Sequence, residues 1–111
     1  MKKSKIVYVP LAVDILHSGH LNIIEKAKKY GKVVIGLLSD SAVAEYKNIP
    51  SLEYSERYRI VKSLKNVSKI IKQESWDYSK ILNSLKPDFF FFLFDLISIL
   101  KKKKIYNVIN L

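Results

Sequence analysis

The stretch Lys5 to Tyr30 reads KIVYVPLAVDILHSGHLNIIEKAKKY, and its hydrophobic period changes partway along. The first part, Lys5 to Ala12, is apolar and β-branched, which predicts a buried strand. The last part, Leu21 to Tyr30, sets Leu21, Ile24, Ala27 and Lys28 or Tyr30 near one face of a helix, with Gly31 placed to end it. Between them stand the only two histidines of the chain, His17 and His20, in the turn Asp14-Ile15-Leu16-His17-Ser18-Gly19-His20. A helix start gathers backbone N–H groups and the positive end of the macrodipole, so this turn is a candidate phosphate site. Two imidazoles there can donate to an anion, and Gly19 lets the backbone approach it with no Cβ in the way. Asp14 is expected to hold the turn through side chain to backbone hydrogen bonds rather than to do chemistry.

Outward from this stretch the pattern alternates. Lys32 to Ser39 (KVVIGLLS) reads as a second buried strand, and Ser39 or Asp40 can cap a short helix through Tyr46. Lys47 to Leu52 contains Pro50 and reads as a loop. Arg57, Ile60, Val61 and Leu64 follow helical spacing within Ser55 to Leu64. Lys69 to Lys72 is a short strand candidate, Tyr78 to Leu85 a helix stopped by Pro87, and Phe89 to Phe94 a last strand. The order β-α-β-α-α-β-α-β predicts an α/β fold, a Rossmann-like three-layer sandwich with a mostly parallel sheet. Ligands gather at the carboxyl ends of such strands, where the histidine turn falls.

Composition narrows the function classes. At 111 residues the chain is a single domain, and its apolar content argues against disorder. It has no cysteine, which removes disulfides, thiolate metal sites and a thiol nucleophile, and fits a cytoplasmic setting. The start MKKSKIVYVPLAVD is read as the first strand and not as a secretory leader, because Asp14 interrupts the apolar run. A net charge of +10 suits anionic ligands, yet the lysines are dispersed and no nucleic-acid module or zinc spacing is present, so no nucleic-acid partner is expected.

The residues His17-Ser18-Gly19-His20 resemble the H-x-G-H signature of the nucleotidyltransferase superfamily. Together with VYVPLAVDILHSGHLNIIEKAKKYGKVVIGLLSD, Glu45-Tyr46-Lys47 and Tyr54-Ser55-Glu56-Arg57, they look like the cytidylyltransferase branch that includes the glycerol-3-phosphate enzyme. The likeness is closer still to the cytidylyltransferase domains that accompany phosphoenolpyruvate mutases, and it runs from about Ile6 to Asp88. It implies transfer of CMP from CTP to a small anionic acceptor, phosphorylated or phosphonate, with release of pyrophosphate. On the family pattern His17, His20 and Lys47 are the electrostatic catalysts. Ala12 and Val13 line the nucleotide with their backbone, Ser18 and Gly19 belong to the same cradle, and Arg57 has a structural or phosphate-facing role. Mg²⁺ is expected to arrive with the triphosphate, held through its phosphates and few protein carboxylates. A homodimer is compatible with the resemblance.

The chain departs from the family pattern after Asp88. It reads Phe92-Leu93-Phe94-Asp95-Leu96 where the family has a Gly-Asp-Asp-Trp type segment, and nothing matches the Arg-x-x-Gly-Ile-Ser-Thr-Thr type motif that clamps the triphosphate. Residues 1–88 are therefore read as a nucleotide-binding core, and 89–111 as a diverged segment of the same domain. That segment is a drifted stretch, a frameshifted tail or a piece that pairs with another chain. The alternative to an active enzyme is a remnant that binds nucleotide without turnover. Phe89 to Leu100 is almost wholly apolar, but it contains Asp95 and falls short of the ~20 residues of a membrane span. Trp76 and Tyr78 are expected to pack in the core.

Overall fold

The computed structural model describes residues 5–13, 16–46, 51–75, 77–92 and 108–110. Asp14, Lys47, Trp76 and Asp95 lie outside the described residues, as does the end of the expected strand beyond Phe92. The elements are β1 (Ile6–Leu11), α1 (Ser18–Lys28), β2 (Lys32–Leu38), α2 (Asp40–Tyr46), α3 (Tyr54–Lys62), β3 (Val67–Gln73), α4 (Ser79–Leu85), β4 (Phe89–Phe92) and β5 (Val108–Asn110). They follow the predicted order, with β5 added inside the segment read as diverged.

The strands form one sheet in the order β3-β2-β1-β4-β5, and every pairing is parallel. β1 and β2, in the middle, are buried on both faces, which explains their unbroken apolar sequences. Pro10 has no N–H to give the ladder, and it falls beyond Tyr8, the last β1 residue paired with β4. β3 is an edge strand and alternates less cleanly, with Lys69 and Lys72 exposed.

Each face of the sheet carries two helices. On one, Val7, Val9 and Leu11 of β1 and Val33, Ile35 and Leu37 of β2 pack with Ile23, Ile24 and Ala27 of α1 and Val61 of α3. On the other, Tyr8, Val34 and Leu38 pack with Ala42 and Val43 of α2, Phe90, Tyr78 and the half-buried Ile81, Leu82 and Leu85 of α4. The result is a three-layer, doubly wound α/β domain.

Two local expectations are corrected. α1 begins at Ser18 rather than Leu21, and its buried stripe is His20, Ile23, Ile24 and Ala27. Leu21 stays 44% exposed, because turning the helix to bury both isoleucines, worth ~1.5–3 kcal/mol each, outweighs burying one leucine. β3 runs over Val67–Gln73, longer than Lys69 to Lys72, because parallel pairing with β2 from Val33 to Leu38 supplies ladder bonds that the polar sequence alone does not suggest.

Gly36, in the middle of β2, has a steric role. The Tyr8 phenol lies across it, where any Cβ would strike the ring and its hydroxyl. The Tyr8 hydroxyl thereby reaches Gln73 at the end of β3 and donates to its Oε1. One side chain from β1 crosses β2 and bonds to β3.

Candidate active site

Because α1 leads from β1 to β2 while β4 pairs with the other edge of β1, the connections diverge on either side of β1. In doubly wound sheets, the crevice outside the carboxyl ends at such a divergence is where ligands bind. His17 and His20 are at that end, on the first turn of α1.

His17 is the N-cap of α1. Its Nδ1 accepts from the Gly19 backbone N–H at 3.0 Å, and its own N–H donates to His20 Nδ1 at 3.2 Å. This is a reciprocal capping box in which both side chains are imidazoles, where Ser or Thr and Glu or Gln would be usual. The rings pack at 4.1 Å between centroids, His17 exposed and His20 buried. A Cβ on Gly19 would come within 2.7 Å of His17 Cε1, so glycine leaves room for the ring there.

The box has two chemical consequences. The hydrogen-bond network assigns the lone pair of each imidazole to Nδ1, so in the neutral ring the proton sits on Nε2. Turning either ring over would place a carbon against a backbone donor. In addition, the N–H groups of Gly19 and His20 are spent within the turn, the latter on the His17 carbonyl at 3.0 Å. The rings themselves can therefore donate only through Nε2, and His17 is the exposed one of the two, near the positive end of the macrodipole.

Just before the turn, Ala12 and Val13 leave β1. Val13 is fully buried and holds φ at 54°, a left-handed conformation that a β-branched residue rarely adopts. Strain of this kind is held only where the surroundings over-determine it, and it tends to cluster at ligand sites.

Arg57, on the first turns of α3, is fully buried. Its Nη1 donates to the carbonyls of Ala12 and Leu38, both at 2.7 Å, and its Nε donates to the Leu52 carbonyl at 3.0 Å. Its Nη2 pairs with Asp40 Oδ1 at 2.6 Å. Ser39 caps α2 by accepting from the Ala42 N–H, which leaves the Asp40 carboxylate to Arg57. The Arg57 hydrogen bond holds the Asp40 carboxyl below the usual carboxylate range, aided by the Tyr54 backbone N–H and opposed by partial burial. α3 has no side-chain cap of its own, so Asp40 also serves its first turn. Beside this pair, Lys72 Nζ lies 4.8 Å from the centroid of the Tyr54 ring.

His17, Ser18, Gly19 and His20 thus share one turn, and Ala12 and Val13 precede it. Arg57 joins them from beneath through the Ala12 carbonyl. Sequence reasoning missed Asp40 as the Arg57 partner, and no local signal marks it, since the two are 17 residues apart. Tyr78 is buried, as expected of core packing. An open groove of about 400 Å³ runs between α1 and Asn66, and none of the candidate residues lines it.

Comparisons with known proteins give the family and the fold. A family model described as cytidylyltransferase-like matches residues 13–110, and the chain belongs to that family, within the nucleotidyltransferase superfamily. The match continues past Asp88, where the motif reading ended it. The chain is similar to FAD synthase of Archaeoglobus profundus, 36% identical over 68% of this chain and 48% of that one. It is also similar to ethanolamine-phosphate cytidylyltransferase of Dictyostelium discoideum, 31% identical over 79% of this chain and 25% of that one. The matched part spans about half the length of the FAD synthases. The crystal structure of the lipopolysaccharide core biosynthesis protein from Thermoplasma volcanium shares the fold, with a TM-score of 0.83 at 24% identity, covering 98% of this chain and 97% of that one.

Among the described residues no group of three or more His, Cys, Asp or Glu side chains is gathered as a metal site. The donors at the helix start suit an anion, and a hard cation such as Mg²⁺ takes oxygen ligands instead. No helix among the described residues is long and apolar enough to cross a membrane.

Proposed function

We propose that the chain transfers CMP from CTP to a small phosphorylated or phosphonate acceptor. An oxygen of the acceptor's phosphate or phosphonate forms a bond to the α-phosphorus, the bond from that phosphorus to the bridging oxygen breaks, and pyrophosphate leaves with the electron pair. Charge grows on the phosphoryl oxygens and the leaving group, so the reaction needs preorganised donors more than a nucleophile. The observation that carries this reading is the capping box, which turns the two Nε2–H groups of the His17 and His20 rings into fixed donors. Lys47 adds a positive charge, Ala12 and Val13 flank the nucleotide with their backbone, and Ser18 and Gly19 complete the turn. Mg²⁺ would be held through the phosphates of the triphosphate, where it would neutralise part of their charge. A cytoplasmic setting is part of the reading, supported by the absence of cysteine. So is a homodimer, supported by the apolar run after Pro87.

The nucleotide base is the open choice. Cytidylyl transfer is in the name of the family and of the ethanolamine-phosphate relative, whereas FAD, the product named for the archaeal relatives, carries an adenosine. Calorimetric titration with MgCTP and with MgATP separates the two. A pyrophosphate-release assay with aminoethylphosphonate and glycerol phosphate then tests turnover and acceptor class. Release with MgCTP supports the proposal, and preference for MgATP overturns its donor. The missing Arg-x-x-Gly-Ile-Ser-Thr-Thr type motif favours a second reading, a domain that binds nucleotide only, which binding without release would select. No binding of either nucleotide would overturn both readings.

A further inference from the structure

The Arg57 guanidinium joins four points that lie far apart in sequence. Ala12 and Leu38 are the residues that follow or end β1 and β2, so its Nη1 fixes the spacing of the two central strands at their carboxyl ends. Asp40 opens α2 and Leu52 lies just before α3, so Nη2 and Nε tie those two places to the strand ends. The guanidinium itself is out of contact with solvent.

We propose that Arg57, anchored by Asp40, is a positioning residue: it holds the Ala12 side of the nucleotide cradle, the carboxyl end of β2 and the approach to α3 at one fixed spacing. The role rests on the nucleotide reading given above. A buried fork with several donors is needed, because a lysine ammonium at the same place cannot address in-plane acceptors on different sides at once. Asp40 sets the orientation of the fork. The other three acceptors are neutral carbonyls, and among the described residues the carboxylate is the one charged partner of the guanidinium.

The test uses Asp40→Ala, whose side chain is 48% exposed, with Asp40→Asn as the conservative variant and Arg57→Lys as a second line. Amide hydrogen exchange of the unliganded chain is measured first. Asp40→Ala is expected to speed exchange at Val13, Ser39 and residues 51–53 by about tenfold or more, leaving Ile35 within β2 unchanged. MgCTP kinetics follow, in which kcat is expected to fall about 10- to 100-fold with little change in KM, and Asp40→Asn to recover most of it. Unchanged exchange at all three places overturns the brace. Faster exchange with unchanged kcat leaves a structural tie and overturns the positioning role. If the wild-type chain neither binds nor turns over nucleotide, the positioning role falls with the nucleotide reading, and the exchange data still decide whether the brace exists. Where Asp40→Ala melts below the assay temperature, Asp40→Asn and Arg57→Lys carry the same measurements.

Discussion

The start of α1 and the start of α3 solve the same problem in opposite ways. Both are helix N-termini with backbone donors to satisfy. At α1 the chain solves it locally: His17 and His20 cap one another across three residues, at the surface. At α3 Glu53 offers no side-chain cap, and the solution is long-range: Asp40 serves the first turn while Arg57 reaches back to Ala12 and Leu38, 45 and 19 residues away. The difference predicts that the first turn can be altered at less cost to the fold than the second. In the proposed function, the ligand-facing groups fall at the first and the tie that supports them at the second.

The largest effect expected is at the long-range tie. Arg57→Ala leaves the buried carbonyls of Ala12 and Leu38 without their donor and opens space in the core, and it should cost about 2–5 kcal/mol. Urea unfolding checks this; a loss under 1 kcal/mol would mean that the ties to Ala12 and Leu38 matter little. The glycines sharpen the contrast. Gly36→Ala meets the buried Tyr8 ring and should cost about 1–3 kcal/mol, as overpacking does. Gly19→Ala meets only the exposed His17 ring, which can swing away, so at most the cap is lost, about 1 kcal/mol. Equal melting shifts for the two would erase the distinction.

Acid offers a smaller test. The Asp40 carboxyl is depressed in the folded state, so its contribution is present above the unfolded pKa of about 3.9 and is lost as pH falls through the lower folded value. Half exposure keeps that contribution small. Below about pH 4 the wild type should lose the excess stability it has over Asp40→Asn. A stability gap that persists to lower pH would contradict the pairing. In alkali the sign reverses. Burial raises the Tyr8 and Tyr78 phenols, so their contribution is present below the unfolded value of about 10 and lost above it. Both should remain un-ionised by ultraviolet titration until the fold opens.

The same contrast explains what could be read from the sequence. β1 and α1, and the histidines at the start of α1, were legible because the hydrophobic period changes there and the two histidines cap one another across three residues. The helical face was misjudged because nothing local says that Ile23 and not Leu21 meets the sheet. Arg57 could be placed on a helix start but not given its acceptors, since β1, β2 and the approach to α3 converge only after the sheet has formed. β5 was invisible for a related reason. Val108–Asn110 is a three-residue strand, defined by parallel pairing with Phe90 to Phe92 rather than by a pattern of its own.

The central claim is that the paired imidazoles, held as Nε2–H donors by their own helix cap, stabilise the phosphoryl transition state. It is tested most directly by pyrophosphate release from MgCTP with the acceptor the wild type accepts, comparing it with His17→Ala and His20→Ala, each shown by circular dichroism to be folded. The account predicts a fall in kcat of about 10²- to 10³-fold for each, the scale on which removal of one preorganised donor acts. Folded variants that retain wild-type kcat would contradict it.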